Sequence, residues 1–192
     1  MGCSIIHHKY YIIYIYMSKK EIIEHPLSDA EIKKYLPSAR IVMYNELPNY
    51  QTIEQLLPRD KSYFIILFQD SENSGHWCCV LRQKNRIEFF DPYGLYPDKE
   101  LNWVDHGVRE SLGIDGKYLS KLFDQTPLEV VYNTEDYQAE KKGVNTCGRH
   151  VIFRLKKINM PILQYHEFFK AETKKLKTNY DGVVAHYIDI ME

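Results

Sequence analysis

Cys147 stands in the run Gly143-Val-Asn-Thr-Cys-Gly-Arg-His150, between a segment that resists helix formation and the apolar stretch Val151-Ile-Phe-Arg-Leu155 that favours it. A thiol at such a junction lies at the positive end of a helix, where the macrodipole and unpaired N–H groups favour the nucleophilic thiolate. Gly148 beside it removes a side chain where a substrate backbone can approach. Taken alone, a single cysteine is more often an inert packing residue.

Two further residues change that balance. His76 opens one β-branched and aromatic run, residues 76–82, and Asp91 closes the next, residues 86–91, with the polar link Gln83-Lys84-Asn85 between them. The runs predict an antiparallel hairpin. Pairing Arg82 with Arg86 sets His76 opposite Pro92 and Trp77 opposite Asp91, with the backbones at His76 and Asp91 about 5–6 Å apart. A carboxylate there can hold one imidazole nitrogen and leave the other facing a nucleophile. Each residue also has a plainer reading. His76 can be a polar residue ending the loop from Ser71 to Gly75, and Asp91 can simply begin the Asp-Pro-Tyr-Gly turn. His150 is a competing base, but one turn inward on the same helix it reads as a packing residue. His76 with Cys78 and Cys79, and His7 with His8, lack the spacing that closes a zinc site, so neither a metal nor a cofactor is expected.

The elements that must position these groups come from a chain of 192 residues, 44% hydrophobic, sufficient for one core. Lys and Arg number 25 against 26 Asp and Glu, which removes the simplest case for a nucleic-acid partner. The basic stretch in the last third leaves nucleic acid weakly supported, a solvated helix face being the commoner meaning. The cysteines Cys3, Cys78, Cys79 and Cys147 form no disulfide framework and fit a reducing compartment. Met1-Gly2-Cys3 opens like a myristoylation signal, but Ile6 occupies the position that needs Ser or Thr. The apolar run Tyr10 to Met17 is shorter than the roughly 20 residues of a membrane span and has no signal-peptidase site. Residues 1–17 are therefore read as an extension, either an added edge strand or a segment upstream of a working start at Met17. Residues 18–192 are read as one domain in a soluble intracellular chain without a membrane partner.

Within that domain, Ser28 and Glu31 form a capping box for a helix ended by Pro37. A short strand is predicted at residues 40–44, a short helix near 52–57, strands at 62–68 and 128–133, and a helix over 101–113. A buried helix begins at Cys147, another spans 163–176, and an apolar segment closes the chain.

Three blocks, Ser74-Gly-His-Trp-Cys-Cys-Val80, Phe89-Phe-Asp-Pro-Tyr-Gly94 and Asn145-Thr-Cys-Gly-Arg-His-Val151, occur in the order His-Trp, Asp, Cys-Gly. So arranged, they resemble the adenoviral endopeptidase and the ubiquitin-like-protein proteases. The chain is most similar to the capsid-maturation proteases of virophages and related large DNA viruses, a likeness that extends to residues 27–37 and 165–169. The resemblance implies an α+β, papain-like or adenain-like cysteine protease fold, with a twisted mixed sheet packed on a buried helix bearing the nucleophile. It implies Cys147 as nucleophile, His76 as base then acid, and Asp91 as its orienter. It also implies Gln138 with the Cys147 N–H as oxyanion donors, and Trp77 as the cover of a slot for glycine-like residues. Relatives use a second, upstream tryptophan as the other wall; none precedes Trp77 here, and Tyr44 is the candidate substitute.

The expected function is a cysteine endopeptidase that cuts viral precursor proteins, capsid components, after small residues in the virion and the host cytoplasm. Three rivals stand beside it: a protease removing ubiquitin-like modifiers from host proteins, an acetyltransferase on similar residues, and an inactive binding protein on the same fold.

Overall fold

The computed structural model describes residues 18–71 and 74–188. The extension read over residues 1–17 lies outside them.

The described residues open with two capped helices, α1 (Lys19–Glu24) and α2 (Asp29–Tyr35). At α2 the Ser28 hydroxyl accepts the Glu31 N–H while the Glu31 carboxylate accepts the Ser28 N–H, as the capping box predicts. Strand β1 (Arg40–Met43) follows. Two 3-10 turns, Tyr44–Asn49 and Ile53–Gln55, then carry the chain to β2 (Tyr63–Ser71), β3 (Ser74–Gln83) and β4 (Arg86–Phe90). The helix predicted over 101–113 divides into a 3-10 turn, Glu100–Trp103, and α3 (His106–Leu112). The Asp105 carboxylate accepts the Gly107 N–H at the start of α3, and Gly113 ends it at φ 68°. Next come α4 (Tyr118–Asp124), β5 (Glu129–Tyr132), α5 (Cys147–Lys156), α6 (Ile162–Leu176) and α7 (Tyr180–Tyr187). No helix among the described residues is long and apolar enough to cross a membrane.

Among the described residues five strands form one mixed sheet in sequential order: β1 and β2 are parallel, β2 to β4 are antiparallel, and β4 and β5 are parallel. Alternating side chains feed two cores. Phe64, Ile66, Cys78, Val80, Ile87 and Phe89 face the 3-10 turns, α3 and α4. Ile65, Trp77, Cys79, Leu81 and Phe90 face α2, α5, α6 and α7. Cys78 and Cys79 therefore point into opposite cores, and both are free thiols.

The hairpin register differs from expectation by one residue. Gln83 pairs with Arg86, leaving only Lys84 and Asn85 in the turn, because Lys84 adopts a left-handed conformation at φ 54° that tightens it. The shift decides a face. Extending the observed register sets Cys78 opposite Asp91, so that His76, two residues along the strand, shares the Asp91 face; in the expected register the two side chains point to opposite faces.

From Cys147 to Leu155 every α5 residue is buried, polar ones included. Arg154 answers the charge problem this creates with a two-pronged ion pair to Glu88 of β4, both N–H···O distances 2.7 Å, and with carbonyls of Lys157 and Met160 at 2.9 Å each. Glu88→Ala strands a guanidinium in the core, and an expected loss of about 3–5 kcal/mol in urea unfolding checks it.

Candidate active site

The site forms where β4 stops short. The β3–β4 ladder ends at Cys79 and Phe90, while β3 continues to Ser74 against β2. Asp91, the first residue beyond β4, is completely buried and is held from several sides. Its backbone N–H donates to the Asn133 side chain at 2.8 Å, and the Asn133 amide donates back to the Asp91 carbonyl at 2.6 Å. Its carboxylate accepts the N–H groups of Tyr93 and Leu95 at 2.9 and 3.2 Å. Asp91 does open the turn, with Gly94 at φ 69°, and its carboxylate also meets His76 Nε2 at 2.7 Å.

With Nε2 taken by Asp91, Nδ1 is the ring nitrogen left for Cys147. The imidazole is fixed on its flanks by Tyr93, stacked at 4.7 Å between ring centres, and by the edge of Trp103 at 5.8 Å. Burial alone pushes the His76 imidazole down. The Asp91 carboxylate and the Cys147 sulfur outweigh that, and the ring is pushed up to about 10. Burial likewise pushes the Cys147 thiol up, but the hydrogen bond and charge of His76, with the backbone N–H groups of Trp77 and Gly148, bring it below the ordinary cysteine value. Both shifts favour the imidazolium–thiolate form of the pair over the neutral one. Cys78 and Cys79, with burial the largest influence on each, are held well above the ordinary value.

The helix end contributes as well. Thr146 precedes α5 without capping it, its hydroxyl donating instead to Asp181 of α7 at 2.5 Å, and the Gly148 N–H of the first turn meets the sulfur. Asp181 also accepts the Ala139 N–H at 3.3 Å and faces His150 Nε2 at 3.2 Å. His150 is fully buried on this network, in the packing place expected of it.

Gln138 lies near the cluster. Its amide nitrogen donates to the Tyr93 hydroxyl at 2.8 Å and to the Val144 carbonyl at 3.2 Å, so both amide hydrogens are engaged within the protein. Trp77 is a core residue whose indole N–H donates to the Leu27 carbonyl at 2.9 Å. A Cβ on Gly148 would lie 3.1 Å from Leu27 and 3.3 Å from Trp77, so the bare glycine makes room for the protein's own side chains rather than for a substrate. Tyr44 is not brought to the site. It is buried in the core on the sheet face away from Trp77 and α5, stacked on Phe68 at 4.6 Å, with its hydroxyl 2.6 Å from Asp98 and 2.7 Å from the Gly116 carbonyl. The exposed aromatic wall is Trp103, which the sequence reading had placed within one continuous helix. With Tyr93 and the segment 140–145 it borders a groove of about 580 Å³.

No family model matches the chain. It is 33% identical over 160 residues to the uncharacterized protein V9 of the Sputnik virophage, an alignment covering 82% of this chain and 91% of that one. The chain belongs to the V9 family. Among solved structures, the SUMO protease Ulp1 with its catalytic cysteine oxidized to a sulfinic acid aligns with 88% of this chain and 80% of its own. The identity is 15% and the TM-score 0.37, a likeness too loose to bear on fold or activity.

The charges of this V9 family member set a pH dependence, measured in EDTA by site-resolved iodoacetamide labelling. The Cys147 thiolate forms below the ordinary cysteine value, so its labelling reaches a plateau at lower pH than that of a free thiol. His76→Ala removes the hydrogen bond and charge that lower it and leaves burial, so the plateau moves above the free-thiol value. Cys78 and Cys79 stay unlabelled at neutral pH.

Proposed function

We propose that this chain is a cysteine endopeptidase that cuts precursor proteins of its virus during assembly. The observation that carries the reading is the His76 ring, bound through Nε2 to a buried carboxylate and charge-paired with the Cys147 sulfur.

In this reading the Cys147 thiolate attacks a peptide carbonyl. The His76 imidazolium gives its Nδ1 proton to the departing amine as the C–N bond breaks, leaving a thioester and a neutral ring. His76 then takes a proton from water, whose oxygen displaces the sulfur and restores the thiolate–imidazolium pair. Asp91 keeps the ring in one orientation throughout. The Cys147 backbone N–H is the first oxyanion donor. Gln138 serves as the second by giving up its bond to Val144, the longer of its two at 3.2 Å.

Small residues before the scissile bond suit the limited access to this sulfur. Cys147 and His76 are each only 8% exposed, and Tyr93 and Trp103 flank the imidazole. Trp77, braced on Leu27, limits the space from below. Capsid precursors as substrate class rest on the virophage relative and on the three ordered motif blocks.

Co-expression with the capsid precursor of the same virus tests the proposal, read as new protein termini by mass spectrometry. Cys147→Ala abolishes cleavage, and His76→Ala lowers it by about 10²-fold or more. Cleavage retained in Cys147→Ala ends the proposal. Labelling of Cys147 by a ubiquitin-like vinyl sulfone, with the capsid precursor left intact, moves the substrate to modifier conjugates.

A further inference from the structure

Behind the His76–Asp91 pair, away from Cys147, lie two more donor groups that the peptidase chemistry does not use. Cys78 is two residues from His76 on β3, and so on the same face. Donor atoms of His76, Cys78 and Asp91 all lie within 4.8 Å of one another. Glu100, from the 3-10 turn Glu100–Trp103, closes the group. Its Oε1 accepts the Cys78 thiol at 3.6 Å, and its Oε2, buried, finds no hydrogen-bond partner among the described residues. His76 and Glu100 both border a small cavity of about 80 Å³.

We infer that His76, Cys78, Asp91 and Glu100 form a zinc site that switches the catalytic histidine off. A tetrahedral zinc with bonds of about 2.0–2.3 Å sets its donors roughly 3.3–3.8 Å apart. Cys78 and Glu100 already have that spacing at 3.6 Å. His76 Nε2 and Asp91, at 2.7 Å, need to part by less than about 1 Å. One nitrogen, one sulfur and two carboxylates suit a borderline cation and not calcium or magnesium, which take oxygen alone.

The exchange balances. Zn²⁺ enters, and the protons shared by His76 with Asp91 and by Cys78 with Glu100 leave. A metal on Nε2 leaves the Nδ1 proton as the ring's only one, so His76 cannot hand it to a departing amine without becoming an imidazolate, and the acid step is blocked. Binding itself is independent of the peptidase reading; only the consequence for catalysis rests on it.

The test titrates full-length protein, stripped with EDTA and exchanged into chelator-free buffer, with Zn²⁺ alone, following heat of binding and metal content. One zinc per chain is expected, retained in Cys147→Ala. Cys78→Ser and Glu100→Gln each weaken binding by roughly tenfold or more, while Cys147 labelling in EDTA stays at the wild-type rate. In the wild type, zinc slows cleavage of the capsid precursor and EDTA restores it. Three results overturn the inference: no zinc bound at micromolar ion, loss of binding in Cys147→Ala, which places the metal between Cys147 and His76, or unchanged affinity in Glu100→Gln. The glutamine variant is isosteric, so it decides the matter should Cys78→Ser fail to fold by circular dichroism.

Discussion

A charged imidazole with almost no water around it is the condition on which the rest of this structure depends. Burial on its own disfavours the proton on His76, and the Asp91 carboxylate and the Cys147 sulfur together outweigh it. Asp91 must therefore itself be held rigidly, and its neighbours do so. Two backbone N–H groups meet its carboxylate, and the Asn133 side chain grips its backbone on both sides. The early end of β4, the tight turn at Gly94 and the partnership with the end of β5 all serve one carboxylate.

The sheet supplies what a single element cannot. His76 and Asp91 share one face, while α5 packs against the other, so the sulfur has to meet the imidazole at the sheet's end rather than through it. That end is also where β3 outruns β4. Charged and polar side chains buried along α5 find local partners, Arg154 in Glu88, His150 in Asp181 and Arg149 in the His25 carbonyl, so the helix can sink into the core with its N-terminus intact.

Much of this was legible before any coordinates. The capping box at Ser28, the hairpin, the burial of α5 and the grouping of position 76 with position 91 follow from spacing and periodicity. The register did not. It turned on one left-handed lysine at position 84, a residue type with no special preference for that conformation. The same box signature at Ser18 and Glu21 marks α1, whereas α4, seven residues long, is too short for periodicity to reveal. The assignments at Gly148 and Tyr44 failed for a different reason. Small size and aromaticity say what can fit at a position, whereas which neighbour fills the space is a tertiary fact. Tyr93 and Trp103 were hidden within a turn and a presumed helix.

Thr146, Ala139 and His150 all converge on one residue, Asp181, close to the end of the described chain. Synthesis on the ribosome thus delivers the anchor of the nucleophile turn late, after every strand of the sheet has been made. A nascent chain carries its cysteine for some time before this carboxylate joins the bonds from Asn145 to Ile23 and Glu24 that hold the turn. The sulfur thus reaches its final setting only after the segment that carries Asp181 has been added.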